Sequence, residues 1–402
     1  MHAAFGWSQL SSFNNGGLRD VSQLSGPLSA EDLPVRLNSM IGYRYLSGYL
    51  HNQYAITKDR EYHDSIEVIE NGRRELHDTI KVAYIPIMTF SHIFETNNSN
   101  RRYIEKTAEQ GFYDTTYYNS SKTNDTTDVL TIRNTVAVTF CEAYNTKLKF
   151  GATVFAMNEC QRFMRNSVPY DSIYDYKWTN NTFVGGAIHK HSGANVHYAV
   201  EGQVCLLGYK IGEFDVQGKL QTKFQAGKYP MLISARAYAK SETPNWYLQH
   251  YNSNHIQWEN NFGFTYRFLG GATIAYPTKW VKAKIDFSFE NQTNPIFVSA
   301  SDWCPHQYMG SVQIFTGDVT ADITTPWVNL ENRAVIQYST RDSIMPVPLL
   351  ILQHRLYYHG TWFKALDAQI GVDLRYFTRY KAPVLCPETG MFATQQTTNI
   401  GN

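Results

Sequence analysis

Few residues in this chain are spaced for chemistry. His189-Lys190-His191 sets two imidazoles at i and i+2, on one face of a strand, the arrangement that would let them share a metal. Asp367 and Asp373 also share a strand face, and paired carboxylates are the tools of general acid–base work. At strand rise they stand about 20 Å apart, too far to act on one bond. Asp318 and Asp322 lie at i and i+4 in a Gly/Thr-rich stretch that reads as a loop. The five cysteines, Cys141, Cys160, Cys205, Cys304 and Cys386, are scattered, with no CxxC or Cys/His spacing, and their odd number argues against a disulfide framework. No nucleotide-binding glycine loop, HExxH or GxSxG is present. The expectation is therefore no catalytic residue, no metal and no cofactor, with the histidine pair facing a loop or a lumen.

The elements that would carry these residues are strands. Of 402 residues, 14% are aromatic (28 Tyr, 22 Phe, 8 Trp), types that fit a pleated surface, and only 18% are charged. A net charge of +1 predicts no nucleic-acid partner, and the pairs Arg73-Arg74 and Arg101-Arg102 read as solvated loop charge. No run approaches the roughly 20 apolar residues of a membrane helix. The mean hydropathy of -0.39 fits a barrel, whose strands show only alternate side chains to lipid. Residues 1–6 carry neither the basic stretch nor the apolar core of a leader, so a longer parent chain is expected.

Period-two alternation recurs throughout. Leu366, Ala368, Ile370, Val372, Leu374 and Tyr376 fall on one face; Asp367, Gln369, Gly371, Asp373 and Arg375 fall on the other. Val281, Ala283, Ile285, Phe287 and Phe289 oppose Lys282, Lys284, Asp286, Ser288 and Glu290. The same grammar sets Glu201 and Gln203, Lys219 and Lys223, and Lys147 and Lys149 opposite apolar neighbours. About fourteen such segments occur, several of the nine to eleven residues that cross a bilayer when tilted. Phe224, Phe287 with Phe289, Tyr376 with Tyr380, and Tyr357-Tyr358 with Trp362 predict interfacial belts. Segments 105–128, 158–180, 241–255 and 291–306 read as long polar loops, with no regular long/short alternation. Pro86, inside an apparent strand, predicts a bulge or a strand end.

Several stretches resemble the putative porin family of Bacteroidetes-type outer membranes. They are Leu356-Tyr357-Tyr358, Trp362-Phe363-Lys364, Gln369 to Tyr376, Thr378 to Pro383 and Cys386 to Phe392. Ser91-His92, Arg101-Arg102-Tyr103, Asn124 to Thr127, Asn14 to Leu18 and Tyr49 to Tyr54 fit as well. The resemblance spans nearly the whole chain and its motifs are structural. It implies earlier strands and a signal peptide before this sequence, and further strands after it.

The resulting expectation is an all-β fold, an antiparallel transmembrane β-barrel of about 14 strands forming a single domain over 1–402, in the outer membrane of a Gram-negative bacterium. Lys147, Lys149, Glu201, Gln203, Lys219, Lys223, Arg236, Lys282, Lys284, Asp286, Asp367, Asp373 and Arg375 would line a pore. Leu366, Ile370, Val372, Leu374, Val281, Ile285 and Phe287 would face lipid. The partners expected are outer-membrane lipid, small hydrophilic solutes diffusing passively and, as an assembly, a homo-oligomer. Two rivals stand: a plugged barrel that binds a structural, adhesive or secretion partner, and a secreted soluble β-protein that binds glycans.

Overall fold

Alternating strands in a row satisfy their backbone groups by pairing with the next strand in sequence, and the chain takes this course. The computed structural model describes all residues except 14–35, 71–72, 108–110, 145–148, 169–172, 194, 364 and 402, and omits also the side chains of 38, 60–83, 107, 168 and 173. The elements are β1 (His2–Phe13), β2 (Asn38–Glu70), β3 (Arg73–Thr107), β4 (Thr123–Phe140), β5 (Gly151–Val168), β6 (Ile173–Lys190) and β7 (Val196–Gly208). Then come β8 (Phe214–Ala226), β9 (Tyr229–Glu242), α1 (Trp246–Gln249), β10 (His250–Asn252), β11 (Gln257–Glu259), β12 (Thr265–Pro277) and β13 (Val281–Thr293). The last are β14 (Ile296–Ser299), β15 (Pro305–Gln307), β16 (Ser311–Thr324), β17 (Val328–Ser339), β18 (Leu350–Trp362), β19 (Leu366–Phe377), β20 (Val384–Leu385) and β21 (Phe392–Thr394).

Fifteen strands make one sheet in the order β1-β2-β3-β4-β5-β6-β7-β8-β9-β12-β13-β16-β17-β18-β19. Every neighbour within it is antiparallel. β1 and β19 stand at its two ends, and no pairing joins them among the described residues. Thirteen of the strands follow the alternation read from sequence. β1 and β6 were not anticipated, and β6 corrects one expectation outright: 158–180 is no long loop but the facing ends of β5 and β6 around 169–172. Strand ends beyond a membrane carry polar residues on both faces, so they mimic loops.

The longest connections gather at one end of the sheet, a polarity that the sequence hid. One end carries the connections 14–37, 108–122, 169–172, 209–213, 243–264, 294–310 and 340–349; the other carries 71–72, 141–150, 191–195, 227–228, 278–280, 325–327 and 363–365. Outer-membrane barrels have this polarity, with short turns on the periplasmic side. The segment expected as a loop at 105–128 narrows to 108–122, because Thr123 already opens β4. At Pro86 the register of β2 with β3 shifts between Ile56 and Thr57, the bulge that a missing N–H requires.

Two connections at the short-turn end, 141–150 and 191–195, are clasped together. The Glu142 carboxylate accepts the N–H of His191 and of Ser192, each at 2.8 Å, and the Ser192 hydroxyl. Slight burial pushes this carboxyl up, but those three donors outweigh it and hold it down at about 2. Amide exchange protection of His191 and Ser192 is therefore expected to be full above about pH 4.5 and lost as pH falls through about 2, as read by hydrogen-exchange mass spectrometry. Protection that persists in Glu142→Gln would remove the clasp.

Candidate functional site: the inner face and its folded cap

The sheet has two chemically different faces, and the register links each across strands. On one, Glu201 faces Gln217, Lys219 faces Arg236, Ser234 faces Thr273, and Thr273 faces Asp286. The row continues from Asp286 to Asp318, from Thr320 to Arg333, from Glu331 to Arg355 and from Arg355 to Asp373. Glu201, Gln203, Lys219, Lys223, Arg236, Lys282, Lys284, Asp286, Asp367, Asp373 and Arg375 thus share one face. Lys149 does not lie in a strand; it precedes Gly151 in a connection, with a left-handed φ of 50°. Lys147 lies outside the described residues.

Charges on this face are interleaved. Arg236 holds Asp286 through two bonds of 2.6 and 2.8 Å, Arg267 holds Glu290 at 2.6 Å, and Arg333 holds Asp318 at 2.6 Å. Arg355 reaches Glu331 at 3.0 Å and Asp373 at 3.3 Å, and Arg375 also reaches Asp373. Such half-exposed pairs contribute little to folding, because water screens them. Their effect is on the field: these arginines each sit beside an acid, and among the described residues of β9 to β19 the two signs are mixed. Tyr357 belongs to this face too, donating to Glu331 at 3.1 Å, so it is not part of an outer aromatic belt.

The opposite face is apolar. Leu366, Ile370, Val372 and Leu374 on β19, and Val281, Ile285 and Phe287 on β13, are all exposed on it. Ile274, Ile285 and Val319 run across three strands in one register row. Exposed Phe224, Trp280, Trp327 and Trp362 mark its short-turn end; Tyr176, Trp178, Tyr266, Phe268 and Tyr338 mark the other. An apolar band between two aromatic girdles is the signature of a membrane barrel.

At the long-connection end, loops fold onto the polar face and form a cap. β14, β15, β20 and β21 make a four-stranded sheet, and β10 pairs with β11. Leu37, Tyr113, Tyr251, Ile256, Trp258 and Cys386 build its core, with Trp303, Cys304 and Met391 packed against it. Tyr251 stacks on Trp258 and Tyr113 on His255, ring centres 4.5 Å apart in both. The segments 241–255 and 291–306, expected to be loops, thus carry α1, β10, β14 and the start of β15.

The cap is pinned to the wall by buried polar groups. The Arg101 guanidinium donates to Thr127 Oγ1 at 3.2 Å, to the Tyr251 hydroxyl at 2.8 Å and to the Glu388 carbonyl. Asn254 donates through its backbone to Asp125 at 3.3 Å and through its amide to Thr123 at 2.9 Å. His255 Nε2 and the Thr123 hydroxyl both meet Glu105 Oε2, at 3.0 and 2.9 Å, and Ser253 donates to the Glu388 carboxyl. Gly390, at φ 70°, turns the chain between β20 and β21 against Tyr43, where a Cβ would strike the Tyr43 hydroxyl. The solvated reading of Arg101 is therefore corrected: it sits beneath the cap. Its only signal in sequence is the polar Asn124 to Thr127 run, on the strand that pairs with it.

Asp125 and Glu388 lie at this end, above the membrane-crossing part. Burial raises both carboxyls, Asp125 to about 6 against the Asn254 N–H and the nearby charge of Arg101, and Glu388 well above the usual range. A raised acid holds a proton in the docked cap that it releases when free. Docking is then strongest below about pH 4 and weakens as pH rises through about 6. Protease protection of 243–264 should fall over that window; a flat profile, or the opposite slope, would refute the assignment.

His189 and His191 stack 5.0 Å apart at the short-turn end. Asp367 accepts from Thr361 at 2.7 Å, away from Asp373.

A family model described as a putative porin matches residues 1–402. A comparison with curated proteins finds no match. Among solved structures the chain is similar to the copper transporter OprC, with 9% identity and a TM-score of 0.57 over 94% of this chain and 62% of that one. It is also similar to a mutant of the ferric enterobactin receptor PfeA from Pseudomonas aeruginosa, with 10% identity and a TM-score of 0.54 over 99% of this chain and 67% of that one. Identities this low show the fold alone, that of an antiparallel membrane β-barrel. The chain spans 62% of the length of OprC. The family places the protein in the outer membrane of a Gram-negative bacterium, which sets aside the secreted soluble reading. Matched over its whole length by one family model, this chain belongs to the putative porin family.

Proposed function

We propose that this chain forms the wall of an outer-membrane channel through which small hydrophilic solutes diffuse passively. The observation that carries the reading is the polar face continuous from β7 to β19, with its interleaved charges. Strong charge selection needs rings of one sign, so the channel is expected to discriminate weakly between anions and cations. Lipid covers the apolar face, and copies of the chain assemble side by side in it. The reading assigns the chain no catalytic step, no cofactor and no nucleic-acid partner.

A second reading rests on the cap. Loops packed on the inner face at the long-connection end favour a barrel whose mouth is occluded and whose exterior binds a partner. Planar-bilayer recording of the purified chain separates the two. Stable ohmic steps are the result expected of the channel. A silent bilayer, with a folded barrel shown by heat-modifiable migration, overturns passive diffusion in favour of the occluded form.

A further inference from the structure

Between the cap and the wall lies a cavity of about 400 Å3. Arg101, Thr127 and Val129 line it from the wall; Leu248, Trp258 and Met391 line it from the cap. A larger hollow of about 690 Å3, between Tyr54, Phe90, Val136 and Val154, has Asn52 and His92 in its lining but no lysine or arginine.

The capped cavity is unusual in its charge. All three partners of the Arg101 guanidinium are neutral: a threonine hydroxyl, a phenol and a backbone carbonyl. The acids nearest it are otherwise engaged. Asp125 takes the Asn254 N–H and the Asn166 amide, and Glu388 takes the Ser253 hydroxyl. Among the described residues no carboxylate stands within ion-pair distance of Arg101. Asp125 and Glu388 act on the guanidinium through space, but neither bonds it directly. A half-buried guanidinium whose direct partners are all neutral gains from an anion brought into bonding contact with it. Only three of its five N–H donors are spent.

The rest of the lining sets the body of such an anion. Val129, Leu248, Met391 and the indole of Trp258 offer apolar and aromatic surface, and the volume falls in the range that holds a small ligand. Carboxylates match a guanidinium fork, and a ring or short hydrocarbon fills the remainder.

From this juxtaposition of an ion-unpaired arginine with an apolar cavity beneath the cap, we propose a binding site for a small organic carboxylate with an apolar body. The site rests on the geometry of the cap alone, and holds whether or not the barrel conducts.

The test is isothermal titration of the purified full chain at neutral pH with benzoate and with benzamide, its uncharged isostere. Benzoate is expected to bind at least about tenfold more tightly, the share of a charge-assisted bond. Arg101→Gln should remove that preference and leave benzamide binding as it was; Arg101→Lys should keep part of it. Protease protection of 243–264 reports whether each variant retains the cap. If Arg101→Gln loses the cap, Leu248→Trp fills the cavity while sparing the guanidinium, and should abolish benzoate binding. Equal affinity for the two probes overturns the site. So does no benzoate binding by a protected wild-type chain, or unchanged benzoate binding in Leu248→Trp or in a cap-retaining Arg101→Gln.

Discussion

Ile285→Lys is expected to destabilise the folded barrel by about 2–4 kcal/mol, the cost of a lysine at the midplane of the lipid face. Ile285 is central on β13, 56% exposed, with Ile274 and Val319 beside it in the register row. An ammonium there meets hydrocarbon, with no donor or acceptor on either neighbour. Lys284→Gln, one residue earlier on the polar face, should change stability by less than about 0.5 kcal/mol, as surface substitutions away from special contacts do. Urea titration of the refolded chain in lipid vesicles, followed by tryptophan fluorescence, measures both. Equal losses in the two variants would dissolve the two-faced strand on which the barrel reading stands.

Glu159→Gln should cost about 3 kcal/mol, toward the low end of what breaking a buried ion pair costs. The Glu159 side chain is 2% exposed and accepts Arg133 at 2.7 Å and the Lys210 ammonium at 2.8 Å. Asn181 adds a third, longer donor and also receives the Lys210 N–H at 3.0 Å. One carboxylate thereby ties β4, β5 and β6 to the connection at 209–213. Removing its charge leaves two cations facing each other with an amide between. Arg133 is 37% exposed and keeps some water, which is why the loss stays at the low end. Double-mutant cycles with Arg133→Gln and Lys210→Gln should show coupling of at least about 1 kcal/mol for each pair. Additive losses would mean that the three groups act separately.

These contacts mark where local pattern ends. The two faces of β13 and β19 were legible in the sequence by itself, because side chains alternate with a period of two and a lipid face must be apolar at every other position. Lys282, Lys284 and Asp286 opposite Ile285 and Phe287 need no partner strand to be sorted. The same logic located thirteen of the fifteen strands and the bulge beside Pro86. It failed at β6, where Tyr174, Tyr176 and Trp178 alternate correctly but polar residues and the Gly185-Gly186 pair follow, so the segment read as loop. It failed also at Lys149, which a left-handed backbone takes out of the strand.

The strand alternation and its two-faced chemistry are thus properties of neighbours in the chain. The cap is not. His255 meets Glu105 across 150 positions and Arg101 meets the Glu388 carbonyl across 287. A buried arginine and a solvated one look the same in one sequence, since what differs is the distant segment that covers them. Tertiary structure alone decided that the longest connections gather at one end, that they fold inward over β2 to β5, and that Arg101 ends beneath them beside a cavity, bonded only to neutral groups.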